Sequence, residues 1–498
     1  AEPTSEPTAE PTSEPTAEPT VEVTITPTVT ATVEVTPTVT VTPTVEVSAG
    51  EISSAAVPGT WSSQYIIIQN LGSSTASASL ALHQNSSTAS QTISKSIPGN
   101  GAVTVAGSEI TNSGSFAGVI SSNQPIAAGV INTNSTGKLG DAYAGFSEPS
   151  NEQTIPLIFR GHANTKTTFY IQNAEATAQT VTIKTIKQGN AVETPSGGIQ
   201  VQIQGNSSVT VDFMSSSFNA FGSGNGAFGY AIIEGSGSGK VATLAENVLD
   251  VSGKYQSAFV QGLNANAGGT SLVAPLIYNS HANFNSGLNI INLTGTATTV
   301  TLNFNADAGA YPSVGSKSHS VSLAGNSVVN INMAALNKSK IIPTSFGGGT
   351  ISTSPAVNIV AVVNTNKVVN GSFAFSSPAV NPGLATSNVA APVALQLGTT
   401  GGAFNSGINI FSPNGATGVT TQWVIANTDP PETYTISQSF SNGVVNLNAA
   451  TLRKNGQLPN KNFVGSVFMT FTGGSGIVVV NNDFASGGLS TQMLGVNY

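Results

Sequence analysis

The sequence predicts an all-β protein: four tandem immunoglobulin-like or jelly-roll-like β-sandwich modules preceded by an extended N-terminal tail. Three observations predict this. Short runs of alternating apolar and polar residues lie between Gly/Asn/Ser turns throughout residues 51–498, as is typical of antiparallel strands. Four sequence marks recur in one order through that region. Residues 1–50 have a different composition, rich in Pro, Thr and Val.

The first part of the tail, residues 1–20, repeats Glu-Pro-Thr five times with one Ala or Ser between copies. Proline at every fourth position disfavours helix and sheet and favours polyproline II. The regularly spaced Glu side chains repel one another and extend the chain further. We predict an extended spacer, which in composition resembles an O-glycosylated stalk.

The second part of the tail, residues 21–50, is predicted to be an extended strand. Odd positions from 21 to 47 are apolar or Pro, and even positions are Thr or Glu. A period of two gives an extended chain one apolar face, but this run is far longer than the usual strand of about five or six residues. It is either a stalk in solvent or a strand that packs on another subunit. The predicted subunit-contact residues are Val21, Val23, Ile25, Val29, Val33, Val35, Val39, Val41, Val45 and Val47.

The four marks divide the remaining chain into modules. The first is an apolar run around a proline, at residues 155–158, 274–277 and 391–394. The second is a strand that ends in a polar turn, at residues 65–70, 169–173, 288–292 and 408–412. The third is Gly-Asn or Asn-Gly before a Val strand, at residues 99–103, 205–209, 325–329 and 441–445. The fourth is a Phe beside a Gly-rich step, followed by a strand that closes on Asn, at Phe116, Phe228, Phe346 and Phe463 with Asn132, Asn247, Asn364 and Asn481. The predicted modules are residues 51–150, 151–268, 269–385 and 386–498.

The marks are interpreted as structural. Asn and Gly accept positive φ, so the third mark predicts turns, and the repeated Phe is expected to anchor each core. The first mark is missing from the first module. We therefore expect that module to lack a first strand and to expose an open edge. The alternative is that residues 45–47 of its own tail fill the place.

Charge and composition exclude several functions. The formal net charge is −8, and residues 1–50 hold eight of the 23 acids and no base, so 15 acids and 15 bases remain for the body. A neutral body argues against nucleic-acid binding and favours self-association. No apolar run approaches the roughly 20 residues of a membrane span. The Thr/Pro-rich tail, and a start at Ala1 without Met, indicate an exported, extracellular protein.

No catalytic or metal-binding pattern is present in the sequence. The four histidines, His83, His162, His281 and His319, have no metal-ligand spacing. His162 and His281 share one repeat position and are expected to be turn or surface residues. There is no Cys, no nucleophile elbow and no phosphate-binding loop. We predict neither enzymatic activity nor a cofactor or metal.

With its tandem modules of about 110 residues and its Thr/Pro-rich segment, the chain resembles repeat-containing cell-surface proteins of bacteria. The Val/Thr segment is similar in pattern to the donor strands of self-assembling pilins. The resemblance implies an exported, non-enzymatic envelope protein. We expect a structural subunit of an extracellular filament, sheath or surface layer, a homopolymer in which the tail packs on neighbouring subunits. The alternative is a monomeric adhesin or carbohydrate-binding stalk with cell-envelope polysaccharide as its partner. A third interpretation is an accessory part of a secreted enzyme.

Overall fold

The protein consists almost entirely of antiparallel β-strands. Strands account for 60% of the structure and helices for 7%, so the all-β prediction is confirmed. The computed structural model describes residues 47–52, 61–111, 116–134, 140–190, 192–251, 254–264, 267–368, 372–396, 404–441, 443–484, 489–494 and 496–497. All of them belong to one unit, residues 42–498. We divide its strands into four strand groups in chain order.

Group 1 has eight strands in two sheets, with the orders β1-β6-β3-β4 and β5-β2-β7-β8. The strands are β1 Val47–Ile52, β2 Trp61–Asn70, β3 Ala76–His83, β4 Gln91–Ile97, β5 Ala102–Ala106, β6 Phe116–Ser122, β7 Ile126–Asn134 and β8 Gly140–Ala144. A 3-10 turn, Gly107–Glu109, follows β5.

Group 2 repeats this pairing, with the orders β12-β11-β14-β9-β17 and β13-β10-β15-β16. The strands are β9 Glu152–Phe159, β10 Thr165–Asn173, β11 Gln179–Lys187, β12 Ile199–Ile203, β13 Ser208–Asp212, β14 Phe228–Gly235, β15 Val241–Val251, β16 Lys254–Gln261 and β17 Leu263–Asn264. The 3-10 turns are His162–Asn164 and Ser216–Phe221.

Group 3 joins the two sheets into one curled sheet through a short pairing between its first two strands. The strands are β18 Ser271–His281, β19 Phe284–Asn292, β20 Thr298–Ala306, β21 Ser316–Leu323, β22 Val328–Asn332, β23 Ser345–Ser354, β24 Ile359–Val368 and β25 Ser372–Pro378. Helix α1 is Met333–Lys338, and a 3-10 turn is Pro382–Leu384.

Group 4 is joined in the same way. The strands are β26 Asn388–Gln396, β27 Phe404–Phe411, β28 Gly418–Ile425, β29 Thr433–Ser439, β30 Val444–Asn448, β31 Phe463–Thr472, β32 Ile477–Phe484, β33 Leu489–Leu494 and β34 Val496–Asn497. Helix α2 is Ala449–Lys454. The longest described helices therefore have six residues.

The pairing order is the same in all four groups. The first sheet contains the fourth, third, sixth and first strands, and the second sheet contains the fifth, second, seventh and eighth. Buried apolar side chains fill each group, for example Phe116 in group 1, Phe213 in group 2, Phe304 in group 3 and Trp423 in group 4.

In groups 1–3 the second mark ends in a buried asparagine that holds a loop and a strand end together. The Nδ2 of Asn173 donates to the carbonyls of Thr177 at 2.8 Å and Ile203 at 3.1 Å, and its Oδ1 accepts from the Glu175 N–H at 2.9 Å. Asn70 and its counterpart in group 3 make the same kind of contacts. Because a buried amide left unpaired is costly, this asparagine fixes where the second strand ends.

The third mark forms turns, as predicted. Asn100, Asn206 and Asn326 have φ values of 55°, 56° and 49°, a region that Asn tolerates better than most residues. The preceding glycine is required by a close approach. A Cβ on Gly205 would lie 2.0 Å from the Ala176 carbonyl oxygen.

The four groups contact one another in a closed cycle. The first strand of each packs on the second and seventh strands of the next: β1 on β10 and β15, β9 on β19 and β24, β18 on β27 and β32, and β26 back on β2 and β7. The eighth strands, β8, β16, β25 and β33, are in contact in the same cyclic order. Group 4 is tied to group 1 by Asn427, whose Oδ1 accepts from the Thr104 N–H at 2.9 Å. The groups therefore form a ring.

The expectation of an open edge on the first module is wrong. β1 pairs with β6 and takes the place that the first strands of the other groups occupy. The chain itself thus fills the place, as the alternative proposed, although the strand begins at Val47 and continues past the predicted boundary at residue 51. Residue 45 lies outside the described residues.

The repeated Phe is a core anchor in only two groups. Phe116 and Phe463 are buried, whereas Phe228 and Phe346 are partly exposed. The strand register explains the difference: Phe228 lies opposite Phe159 and Phe346 opposite Tyr278, but in group 4 this position belongs to the residue after Phe463. A shift of one residue turns a side chain to the other face of a sheet.

The closing asparagines also occupy two registers. Asn364 and Asn481 lie opposite Gly287 and Gly407, five residues before the end of the second mark. Asn132 and Asn247 lie opposite the residue one position earlier in their groups. The residues that correspond to Asn364 are therefore Glu246 in group 2 and Ile131 in group 1.

Candidate functional site

The predicted subunit-contact residues fall largely outside the described part of the chain. Val21, Val23, Ile25, Val29, Val33, Val35, Val39, Val41 and Val45 all precede it. Val47 begins β1, where its backbone lies opposite Ile120 of the same chain. The role of these residues in subunit contact stays a prediction.

The place filled by β1 is the first candidate site, which we call the first-strand slot. β1 pairs with β6 from Val47 opposite Ile120 to Ile52 opposite Phe116, with an irregularity after Ala49. Its sequence, Val-Ser-Ala-Gly-Glu-Ile, has three apolar side chains. The first strands of groups 2–4 have eight to eleven residues, most of them buried. β1 is thus the shortest and least apolar of the four.

The second candidate site is a cavity of 360 Å³ between groups 2 and 3, which we call the 2–3 pocket. Aromatic rings of group 2 form one wall, and polar side chains of group 3, mostly Asn, form the other. The first wall includes Phe159, His162 and Phe228, and the second includes Asn289, Asn364 and Asn366.

The turn between β9 and β10 positions the aromatic wall. Gly161, at φ 84°, reverses the chain so that His162 stacks on Phe159, with ring centroids 6.1 Å apart and an interplanar angle of 7°. The Phe228 ring is 4.7 Å from His162. The His162 Nδ1 accepts a hydrogen bond from the Gly226 N–H at 2.9 Å, and burial lowers the pKa of His162 below its usual 6.5. The ring is therefore neutral at pH 7, with its proton on Nε2.

The asparagine wall is the outer face of the second sheet of group 3. Period-two spacing places Asn289 and Asn285 on one face of β19, and the neighbouring strands add Asn330 and Asn364. The Nδ2 of Asn330 donates to the Oδ1 of Asn289 at 3.0 Å, and Ser376 Oγ donates to the Oδ1 of Asn364 at 2.9 Å. The amides are thus held in fixed orientations on a rigid sheet.

An equivalent but smaller pocket of 170 Å³, the 3–4 pocket, lies between groups 3 and 4. Tyr278, His281 and Phe346 face Asn409 and residues beside it. Tyr311 contacts two of the residues that line this pocket. Its hydroxyl hydrogen-bonds to His281 Nδ1, and its ring packs edge-on against Phe346 at 5.9 Å.

The other two junctions are closed by different residues at the same positions. Between groups 1 and 2, Tyr170 and Glu246 replace Asn289 and Asn364. Glu246 is fully buried and accepts from Tyr170 Oη at 2.7 Å and Ser257 Oγ at 2.8 Å. Burial raises its pKa above the usual value, although both hydrogen bonds act to lower it.

Between groups 4 and 1 the same positions are apolar. Ile67 and Ile131 are 0% and 3% exposed and belong to one core with Val393 and Leu395 of group 4. Packing at a junction therefore does not require asparagine. The polar pockets at the other two junctions need a separate explanation.

The sequence predicts that His162 and His281 are turn or surface residues. His162 begins a 3-10 turn, whereas His281 is the last residue of β18. Their connection with the asparagines was not predicted. The third and fourth modules carry a shared signal at equivalent positions. It is Gly-x-Asn at Asn289 and Asn409, and Asn-x-Asn ending at Asn332 and Asn448. Both patterns place amides on one face of a strand.

Three further findings bear on function. Among the described residues, no group of three or more His, Asp or Glu lies close enough to hold a metal ion. The described part of the chain also contains no helix long and apolar enough to cross a membrane. No protein-family model matches the chain, and no curated protein is similar to it.

Proposed function

We propose that the protein is a structural subunit of an extracellular filament, sheath or surface layer, and that residues 21–46 of one copy enter the first-strand slot of another. We include in this proposal that the four strand groups are four tandem immunoglobulin-like or jelly-roll-like β-sandwich modules. Two recurrent features support this modular interpretation: the strand pairing order, and the buried asparagine at the end of the second mark.

The observation that carries the proposal is the position of β1. β1 occupies the slot, and the segment that precedes it in the sequence has a longer alternating apolar pattern than β1 itself. Residues 29–35, for example, place Val29, Ala31, Val33 and Val35 on one face. Each additional buried Val contributes roughly 1.5 kcal/mol or more. A strand from a neighbour can therefore compete with the resident strand.

The ring supports the same conclusion. Its junctions already use the first strands and the second-sheet faces of all four groups, so a second copy can reach these surfaces only by replacing a resident strand, as the proposed exchange does. The eight Glu and absence of Lys or Arg in residues 1–50 leave the body neutral. Little electrostatic repulsion then opposes close packing of bodies. An exchange of this head-to-tail kind is open and makes fibres.

The test uses cysteine pairs, since the natural chain has no Cys. Ser48 lies opposite Val119, and a strand with Val35 at the place of Val47 would put Thr36 there. One copy carries Thr36→Cys and another carries Val119→Cys. After mixing under assembly conditions and mild oxidation, we expect a disulfide-linked dimer that neither copy gives alone.

The matched control carries Ser48→Cys and Val119→Cys in one chain and reports the resident strand. Its intramolecular crosslink should be complete in dilute monomer and decline as assemblies form. Crosslinks that remain intramolecular in assembled material would contradict exchange. A chain lacking residues 1–46 that still assembles would also contradict it.

A monomeric carbohydrate-binding surface protein is a second candidate, and the asparagine-lined pockets favour it. Size-exclusion chromatography with electron microscopy separates the two functions. The second predicts a monomer at all concentrations, and the first predicts ordered polymers.

A further inference from the structure

The 2–3 pocket has the features of a ligand site. Its 360 Å³ lies within the roughly 300–1,000 Å³ typical of small-molecule sites. Aromatic side chains and precisely oriented polar groups line it, as in such sites generally. Its walls come from two rigid sheets, so the site is preformed and little ordering cost is expected on binding.

The four junctions provide an internal comparison. At one set of equivalent positions they carry Ile67 and Ile131, Tyr170 and Glu246, or asparagine. In the apolar version Ile67 and Ile131 are buried in one core with residues of group 4. Packing at these positions therefore does not require amides, and the asparagine wall of the 2–3 pocket needs another explanation.

The chemistry of the walls selects the ligand class. Among the described residues that line the pocket, His162 is the one ionisable side chain, and no carboxylate is present. A charged ligand would find no opposite charge there. Each asparagine offers both a donor and an acceptor, which matches hydroxyl groups, since these also donate and accept. The Phe159 and Phe228 rings offer apolar surfaces to C–H groups.

We propose that the 2–3 pocket binds an uncharged polysaccharide, with hydroxyls on the asparagine wall and a sugar face against the aromatic wall. Asn289, Asn364 and Asn366 are the contacting amides, and Phe228 is the contacting ring. The 3–4 pocket, with its volume of 170 Å³, would take no more than a small part of such a ligand.

The test is calorimetric titration of the full chain with neutral oligosaccharides from β-glucan, mannan and chitin, and with polygalacturonate and heparin as charged comparisons. We expect at least one neutral series to bind and the charged ones not to bind. The double variant Asn289→Ile and Asn364→Ile copies Ile67 and Ile131 from the apolar junction. It should lose at least tenfold in affinity while its melting temperature stays equal or rises.

The control is Asn409→Ile, the corresponding change in the 3–4 pocket, which should leave affinity within twofold. Asn366→Ala changes an exposed residue at the pocket, so it tests the site even if the double variant does not fold; it should weaken binding severalfold. Absence of neutral-glycan binding at millimolar concentration would overturn the proposal. Unchanged affinity in the folded Asn366→Ala and double variants, or preference for a charged glycan, would also overturn it.

Discussion

At the residue scale, Glu246 makes the junction between groups 1 and 2 sensitive to pH. Its carboxyl is fully buried beside Tyr170 and Ser257, and burial raises its pKa above the usual 4.5. The unfolded chain has the ordinary value. Between the two pKa values the folded state keeps the proton and the unfolded state loses it, so stability falls as the pH rises through this window.

We therefore expect Glu246→Gln to melt a few degrees higher than the natural chain at pH 8 and at the same temperature at pH 4. The amide keeps an acceptor for one hydroxyl and carries no charge to desolvate. Differential scanning calorimetry at the two pH values measures this. Glu152→Gln, at an exposed position, is the control and should change neither. A lower melting temperature for Glu246→Gln at pH 8 would contradict the prediction.

Residue identity predicted local backbone better than it predicted contacts. Asn100, Asn206 and Asn326 were assigned to turns because Asn accepts positive φ, and they adopt it. The buried clamp of Asn173 was not predicted, since its acceptors are carbonyls of a loop and a strand end about 30 residues away in sequence. The backbone conformation of a turn can be predicted from adjacent residues, but hydrogen bonds between residues distant in sequence cannot.

At the element scale, one glycine in the sixth strand allows that strand to pack closely on the third. A Cβ on Gly229 would lie 1.9 Å from the Ile186 carbonyl oxygen. The same approach recurs at Gly347, 1.9 Å from the Asn305 oxygen, and at Gly465, 2.0 Å from the Val424 oxygen. The glycine follows the partly exposed ring in groups 2 and 3 and thus fixes where that ring projects.

Gly229→Ala should cost about 3 kcal/mol in the free energy of unfolding. The added methyl group would meet the backbone of the third strand, which is held in the sheet and cannot move aside. Gly295→Ala is the matched control. The nearest heavy atom to its Cβ would be 3.9 Å away, and its cost should stay below about 1 kcal/mol. Urea titration followed by circular dichroism gives both values. Equal costs for the two variants would show that the sixth strand can shift to accommodate a methyl group.

The strands themselves were predictable, and their register was not. Alternation over short runs identifies a strand, but the fourth mark aligned Phe463 with Phe228, although the pairing offsets them by one residue. A Gly-rich segment has few side chains whose alternation could show the strand register. The alignment therefore predicted Phe228 in the core, although it lies at the 2–3 pocket, because neighbouring residues of a strand face opposite sides of the sheet.

At the scale of the whole molecule, the ring brings together residues that no sequence window contains. The 2–3 pocket combines Phe228 of group 2 with Asn364 of group 3, and group 4 returns to contact Ile67 of group 1. The repeats predicted the copies but not their arrangement, since a row and a ring have the same sequence periodicity. The candidate site depends on that arrangement and so was missed.

A reciprocal pair of substitutions tests the ring. Ile131→Asn places an amide in the apolar junction between groups 4 and 1 and should cost about 3 kcal/mol. Asn364→Ile makes the opposite change at the equivalent position and should be neutral or stabilising. Chemical denaturation measures both, and hydrogen exchange should show faster opening of β2 and β26 in Ile131→Asn alone. Similar costs for the two variants would contradict the closed cycle.

Because the cycle closes, the number of groups is fixed by geometry. In an open array each repeat touches only its neighbours, so copies can be gained or lost at little cost. Here a fifth group would change the angle between neighbouring groups at every junction. A missing group would expose the junction surfaces of both of its neighbours. In such a molecule the sequences of the groups can diverge while the number of groups stays the same. Its junctions already show this divergence: one is apolar, one is sealed around a buried carboxyl, and two are lined with amides.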